Sequence, residues 1–249
     1  MHAGHLHLHY QPIYDTCARR LIACEAQLRW NDPIRANVSP FEFIPIAEDG
    51  GLIGPLTDWV LLHACEEAAA WPDAVQVSIN LSPLNLSQPS LVTTVRRVLG
   101  DTGLAPQRLI LELTEGLLLE QSNTVRNALL GLKDLGVELW LDDFGAGHAN
   151  LGYLQRLSCI VVKIDRGFLD QYDKRRELLG GMISLAQACG LRVLAEGVET
   201  TEHDALLKEL GCDLLQGYLL ARPMSAESLR TLISTSDFSV SESPSLALI

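Results

Sequence analysis

The chain has 249 residues, a hydrophobic content of 47% and a formal net charge of −12. This length fits one large domain, and no apolar run approaches the ~20 residues that span a bilayer. The acidic balance argues against a non-specific binder of nucleic-acid polymers or anionic membranes, because both are polyanions.

Neither the start of the chain nor its cysteines indicate secretion. The first ten residues, MHAGHLHLHY, lack a basic region followed by an apolar core, so we expect no secretory signal. The six cysteines are scattered without CxxC spacing, mostly in apolar surroundings. We therefore expect reduced cysteines and a cytoplasmic protein.

The first predicted strand carries a row of histidines. His5, His7 and His9 alternate with leucines, which places the three imidazoles on one strand face, and the pattern continues to Tyr14. Three alternating imidazoles are compatible with a metal site, but a solvated strand face is the more common arrangement.

The second predicted strand, Leu21–Trp30, places three polar side chains on one face. Glu25, Gln27 and Arg29 share that face because strand side chains alternate. An acid beside a guanidinium fits two interpretations. One is a cross-strand ion pair, and the other is a metal ligand next to a phosphate-binding arginine.

Helices and strands then alternate to the end of the chain, as judged from apolar spacing and from flanking prolines and glycines. The predicted helices are Phe41–Glu48, Pro55–Trp71, Pro89–Gly100, Ser122–Leu135, Asn150–Leu157, Glu177–Cys189, Thr201–Leu210 and Ser225–Thr235. The predicted strands are Ala74–Leu81, Arg108–Thr114, the run from Val137 that ends in Asp142 and Asp143, Ile160–Ile164, Arg192–Glu196 and Asp213–Gln216. Residues 236–249 are predicted to form a polar tail or linker.

The alternation amounts to about eight strand–helix units, which predicts an α/β fold, a (β/α)8 barrel of the TIM type, over residues 1–235. A doubly wound open sheet is the alternative, although no GxGxxG motif opens a helix after the first strand.

Polar residues end most of the predicted strands, and in a barrel these ends meet at one face. The strand-end residues are Glu25, Asn80, Glu112, Asp142, Asp143, Lys163, Glu196 and Gln216. Each acid alone is explained by a buried salt bridge, but so many strand-end carboxylates are hard to attribute to stability. An oxygen-rich set without Cys or His suits Mg²⁺ or Mn²⁺. Carboxylates around two ions with a lysine nearby favour phosphodiester hydrolysis.

The motifs resemble those of the EAL domain family of cyclic-di-GMP phosphodiesterases. The matching segments are HYQPIYD, CEAQLRW, SPFEFIPIAEDGGLI, VSINLSP, LILELTEG, LWLDDFGAGHANL, VVKIDRGFL, VLAEGVET and GCDLLQGYLLARPM. They cover nearly all of residues 6–235 in the family's order. The resemblance implies a barrel with an irregular, antiparallel first strand. It also implies hydrolysis of cyclic-di-GMP to linear pGpG with two Mg²⁺ or Mn²⁺ ions.

The resemblance also implies roles for individual residues. The positions that match the metal ligands are Glu25, Asn80, Glu112, Asp142 and Asp143. Glu196 and Gln216 match residues that hold metal-bound waters, with Glu196 a candidate general base, and Lys163 matches the lysine that positions the attacking water. The remaining matches are Gln11 and Arg29 for the substrate phosphates, Glu115 for support of the loop after Asp143, and Asp165 and Glu199 for acids around the metal ligands.

Two positions depart from the family's pattern. The signature Glu-Ala-Leu is Glu-Ala-Gln here, with Gln27 on the same face as Glu25 and Arg29. The loop after Asp143, usually DFGTGYSSL, is DFGAGHANL, so residues 146–150 lack hydroxyl groups that hold the loop. We expect these changes to lower the occupancy of the second metal ion and the activity, or to make activity depend on a partner domain or a dimer contact.

Three functions follow from the resemblance. The first is a working phosphodiesterase, because all the matched metal-ligand positions are present. The second is a catalytically weak or inactive receptor for cyclic-di-GMP that controls a partner, and the third is an interaction scaffold. The expected partners are cyclic-di-GMP, a second copy of the chain, and sensor or regulatory domains if the chain is part of a longer protein.

Overall fold

The computed structural model describes residues 5–32, 34–114, 122–145, 159–169 and 172–235. Within these residues eight strands close into a barrel, and two short strands, β3 and β10, extend it. The strands in chain order are β1 (Leu6–Asp15), β2 (Leu21–Asp32), β3 (Ala36–Val38), β4 (Gln76–Leu81), β5 (Leu109–Thr114), β6 (Glu138–Phe144), β7 (Cys159–Ile164), β8 (Arg192–Ala195), β9 (Leu214–Leu215) and β10 (Met224–Ser225).

The barrel is parallel except at β1. The ring from β2 through β4, β5, β6, β7, β8 and β9 is parallel, and β1 pairs antiparallel with both β2 and β9. A tight turn explains the reversed strand: the Asp15 carboxylate accepts hydrogen bonds from the backbone N–H groups of Cys17 and Ala18 (3.0 and 2.7 Å). The chain therefore returns as a hairpin without a crossover helix. The predicted barrel with an antiparallel first strand is confirmed, and the doubly wound sheet is wrong.

Helices follow the strands along the chain. Those in the described residues are α1 (Pro40–Asp49), α2 (Ile53–Ala69), α3 (Pro83–Leu86), α4 (Leu91–Thr102), α5 (Asn123–Asp134), α6 (Tyr172–Ala188), α7 (Thr201–Glu209) and α8 (Ala226–Thr235). Apart from the short α3, all were predicted to within two residues at each end except α6. The helix predicted at Asn150–Leu157 and the tail at 236–249 lie outside the described residues.

Several predicted boundaries were wrong. Helix α6 begins at Tyr172 rather than at Glu177, because its first turns, YDKRR, are polar and give no apolar spacing. Strands β8 and β9 end one residue before Glu196 and Gln216, although the backbone N–H groups of both residues still donate to the neighbouring strand (3.1 and 3.0 Å). The short β3, α3 and β10 were not predicted at all.

The core has two parts. The larger lies between the strands and the surrounding helices, and the smaller fills the barrel interior. The interior cluster consists of Ile13, Ala23, Ile110, Trp140, Val161, Leu194 and Leu214. Seven of the eight barrel strands thus contribute one residue each to a single apolar layer across the barrel.

All six cysteines are free, and the buried ones are Cys24, Cys65, Cys159 and Cys212. Across the described part of the chain, each helix is too short or too polar to cross a membrane.

Candidate active site

The polar residues predicted at the strand ends form the next layer above the apolar interior. On a parallel strand, the residue two positions after an interior residue points to the same side, one step nearer the carboxyl end. That step leads from the interior cluster to Glu25, Glu112, Asp142, Lys163, Glu196 and Gln216. Because β1 runs in the opposite direction, its member of this layer precedes Ile13 by two positions and is Gln11. Strand alternation therefore brings these side chains together.

Lys163 lies at the centre of the acidic side chains. Its Nζ is 2.7 Å from Glu112 Oε2, 2.7 Å from Glu196 Oε1 and 3.4 Å from Asp142 Oδ1. The side chain is only 1% exposed, so its charge depends on these acids. Burial by itself lowers the pKa of Lys163, but the surrounding carboxylates, with Glu112 the strongest, raise it well above its usual value. Lys163 is therefore a permanent positive charge in this layer.

Two acids in contact with Lys163, Glu112 and Glu196, hold their protons more tightly than usual. Burial raises the pKa of Glu112 to about 8 and that of Glu196 to about 7, with Lys163 opposing the rise in both cases. The Glu112 side chain has no exposed surface, whereas Glu196 is 24% exposed. Glu196 is thus an acid that can exchange a proton near neutral pH and that also reaches the pocket.

Glu25 is surrounded by amide donors. Its Oε1 accepts a hydrogen bond from Asn80 Nδ2 (2.8 Å), and its Oε2 accepts from Gln216 Nε2 (2.8 Å) and Gln27 Nε2 (3.1 Å). Burial by itself raises the pKa of Glu25, but Lys163 and these three donors hold it below its usual value. Glu25 is therefore ionised in its buried position.

The paired acids of β6 both face the pocket because the strand is irregular at this point. Two successive residues of a regular strand point to opposite sides. Asp143 instead has a φ of +57°, and the register with β7 shifts between Leu141 and Phe144. The Asp143 N–H donates to Asp142 Oδ1 (3.0 Å). Left-handed backbone at a non-glycine residue is strained and often marks a functional site.

A pocket of about 830 Å³ opens above this layer. The predicted site residues that line it are Gln11, Glu25, Arg29, Asn80, Asp142, Asp143, Lys163, Asp165, Glu196, Glu199 and Gln216. Glu112 does not line the pocket; its side chain is fully buried and contacts Lys163. Glu115 and the altered loop at residues 146–150 lie outside the described residues, so their predicted roles stay predictions.

Sequence reasoning missed one wall of the pocket. Pro40, Phe41, Ile44 and Pro45, from the start and middle of α1, also line the pocket. Phe41 is 94% exposed, which is unusual for a phenylalanine. The segment SPFEFIPIAEDGGLI was recognised as a family motif, but no role at the pocket was predicted for its apolar residues.

The residue types at the site suit a divalent cation. Two buried oxygens, Glu112 Oε1 and Gln216 Oε1, have no hydrogen-bond partner within the described residues, and a cation is one group that satisfies such acceptors. In the described residues no three His, Cys, Asp or Glu side chains are already grouped closely enough to hold a metal. The carboxylates instead contact Lys163 and accept hydrogen bonds from the amide side chains of the site. Metal binding therefore requires Lys163 and these amides to move away from the carboxylates. The metal alternative for the histidine row on β1 likewise finds no support.

Comparison with known proteins matches this chain to one family. The sequence profile described as EAL domain matches residues 1–223. The bifunctional diguanylate cyclase/cyclic di-GMP phosphodiesterase MucR of Pseudomonas aeruginosa is 38% identical over 229 residues, which are 89% of this chain and 33% of MucR. The cyclic di-GMP phosphodiesterase NbdA of the same organism is 38% identical over 235 residues, 92% of this chain and 30% of NbdA. The chain thus spans about a third of these curated relatives.

A solved structure agrees with the profile. The structure titled PaMucR phosphodiesterase, c-di-GMP complex, superposes with a TM-score of 0.86 at 38% identity, covering 90% of this chain and 94% of that one. Sequence profile, relatives and fold therefore agree, and the chain belongs to the EAL domain family.

Proposed function

We propose that this chain is a metal-dependent phosphodiesterase that hydrolyses cyclic-di-GMP to linear pGpG. The observation that carries the proposal is the polar layer above the barrel interior, in which acids from separate strands meet at one pocket. The solved relative bound to cyclic-di-GMP and the relatives named as phosphodiesterases support the same substrate. The catalytic unit that we propose covers residues 1–235.

The cofactor that we propose is a pair of Mg²⁺ or Mn²⁺ ions. The residues that would hold them are Glu25, Asn80, Glu112, Asp142 and Asp143. Carboxylate and amide oxygens are the ligands that these ions prefer. Bound in the layer, the ions would supply Lewis-acid activation of water and stabilisation of phosphoryl charge.

Lys163 and Glu196 are the groups that we assign to charge and proton handling. Lys163 keeps its proton, so its ammonium group can offset the negative charge that develops on the scissile phosphate. Glu196 has a pKa raised to about 7 and lies at the pocket, so its carboxylate can accept a proton from the attacking water near neutral pH. The 2.7 Å contact between the two side chains keeps the proton acceptor beside the fixed charge.

Arg29 and Gln11 are the residues that we assign to substrate binding. Both line the pocket from the β1–β2 hairpin, and Arg29 presents a guanidinium suited to two contacts with a phosphate. Asp165 accepts a hydrogen bond from the Gly167 N–H (2.8 Å), which leaves it at the pocket edge beside β7. Glu199 lines the same edge, and we assign both acids to support of the ligand set.

The direct test is to incubate the chain with cyclic-di-GMP and Mg²⁺ or Mn²⁺ and to follow pGpG by chromatography. We expect turnover by the wild type and none by Glu25→Ala or Asp142→Ala. Asp101→Ala, which changes an exposed acid of α4, is the matched control and is expected to keep wild-type turnover. Tight binding of cyclic-di-GMP without product would refute the hydrolase and support the receptor.

A homodimer, attached sensor or regulatory domains and a cytoplasmic location remain proposals about the whole protein. The chain spans only about a third of its curated relatives, which leaves room in those proteins for further domains. Sedimentation of the chain over a range of concentrations tests the dimer directly.

A further inference from the structure

Gln27 is the residue at which this chain departs from the Glu-Ala-Leu signature, and it makes three hydrogen bonds at the pocket. Its Nε2 donates to Glu25 Oε2 (3.1 Å) and to Gln11 Oε1 (3.0 Å). Its Oε1 accepts from Arg29 Nη2 (2.6 Å). A carboxamide has two N–H donors, and here both are used, together with the oxygen.

The charges on either side determine the orientation of the Gln27 amide. The Arg29 guanidinium can only donate, and the ionised Glu25 carboxylate can only accept. Rotating the amide by half a turn would place its NH₂ group against the guanidinium and its oxygen against the carboxylate, which is unfavourable on both sides. Gln27 therefore joins a group that only donates to a group that only accepts, and it adopts one orientation.

Arg29 depends on this contact for its position. Among the described residues, the other hydrogen bond that the guanidinium makes is to the carbonyl oxygen of the adjacent Leu28 (3.0 Å). A leucine at position 27 offers no acceptor, so the arginine would lose its bond to the pocket face. Gln11 has a second anchor, from its Nε2 to the Ala221 carbonyl oxygen (3.3 Å), and so depends less on Gln27.

We propose that Gln27 is a positioning residue that holds the Arg29 guanidinium where it binds a phosphate of the substrate. The inference rests on the proposed function for the identity of the ligand. Gln27, which stands where the signature has leucine, thus contributes to substrate binding. Its amide acts by positioning Arg29 and takes no part in the reaction itself.

The test is a double-mutant cycle on the affinity for cyclic-di-GMP, measured by calorimetry in the presence of a metal chelator. The variants are Gln27→Leu, Arg29→Ala and the two combined. Because a hydrogen bond to a charged group is lost, Gln27→Leu should weaken binding ~10-fold or more. The double variant should bind no more weakly than Arg29→Ala alone, because Gln27 acts through Arg29.

Gln76→Leu is the matched control. Gln76 lies at the start of β4, away from the pocket, and its amide donates to the Gln107 carbonyl oxygen (2.8 Å). We expect wild-type affinity from this variant. Equal thermal unfolding midpoints for Gln27→Leu and the wild type would establish that the weaker binding is not a folding defect, since leucine is the residue of the family signature.

Three results would overturn the inference: wild-type affinity in Gln27→Leu, additive losses in the double variant, or no chelator-resistant binding by the wild type. With metal present, we expect Gln27→Leu to raise KM ~10-fold with little change in kcat, which a general loss of structure would not produce. A wild-type chain that binds but forms no pGpG would refute the hydrolase proposal and leave the coupling between Gln27 and Arg29 intact.

Discussion

Removal of the buried lysine should destabilise the protein when no metal is present. Lys163→Met keeps a side chain of similar length but removes the charge that Glu112, Asp142 and Glu196 share. Asp142 and Glu196 are 18% and 24% exposed and retain some contact with water. Glu112 is fully buried and contacts Lys163 at 2.7 Å, so most of the cost falls on Glu112.

The size of the effect follows from burial. Removing one partner of a buried ion pair typically costs ~3–5 kcal/mol of unfolding free energy. Burial already raises the pKa of Glu112 to about 8 against the opposing effect of Lys163, so in the variant Glu112 holds its proton more firmly and is not left as an unpaired charge. We therefore expect Lys163→Met to lose ~3 kcal/mol of unfolding free energy, the lower end of this range. This loss corresponds to a decrease of about 6–12 °C in the unfolding midpoint.

The pH dependence of this loss has a definite sign. A carboxyl group whose pKa is raised in the folded state contributes stability at low pH that is lost as the pH rises through that pKa. In Lys163→Met the pKa of Glu112 is no longer held down by the ammonium group. The difference from the wild type should therefore grow as the pH rises through about 8, the pKa of Glu112 in the wild type.

The assay is thermal unfolding followed by circular dichroism in the presence of a chelator. Lys208→Met, which changes an exposed lysine of α7, is the matched control and should unfold within ~2 °C of the wild type, because isolated surface charges contribute little. A midpoint for Lys163→Met equally close to the wild type would show that the acids do not depend on Lys163, and the reasoning would be refuted.

Two further predictions concern the backbone at the pocket. A Cβ at Gly217 would lie 2.2 Å from backbone atoms of Val198. Gly217→Ala should therefore lower the unfolding free energy, measured by denaturant titration, by at least ~1–3 kcal/mol. The control is Gly181→Ala, which should not lower it because the space around Gly181 is open. Asp143 has left-handed backbone, so Asp143→Gly should be ~1 kcal/mol more stable than Asp143→Ala while both lose hydrolysis. Equal stability of the two Asp143 variants would remove the strain argument, and full activity in either would remove the residue from the site.

The sequence predicts the barrel and the polar layer for the same reason. Strand alternation has a period of two, so an acid two positions after a residue of the barrel interior, as Glu112 is after Ile110, also points into the barrel. The hairpin turn at Asp15 and the glycines after the helices also follow from local chemistry. These features depend only on residues that are near one another along the chain. They can therefore be predicted from one sequence.

Other features depend on distant contacts that a strand pattern does not contain. The left-handed backbone of Asp143, which turns both acids of β6 toward the pocket, has no signal beyond the glycine two positions later. The central position of Lys163 follows from the closed ring of strands and not from its own segment. Gln27 was predicted on the correct face beside Glu25 and Arg29, but its third partner, Gln11, became known only when β1 was placed in register beside β2.

The reversed direction of β1 has a consequence for how the pocket can change. Gln11, Glu25, Gln27 and Arg29 all belong to one hairpin, whose register places Gln11 opposite Glu25. The other predicted acids of the pocket, Asp142, Asp143, Asp165, Glu196 and Glu199, lie on or just after later strands. Substitutions confined to the β1–β2 hairpin can therefore change the contacts made with a ligand. The acids on the other strands, and the charge that they carry, would keep their positions.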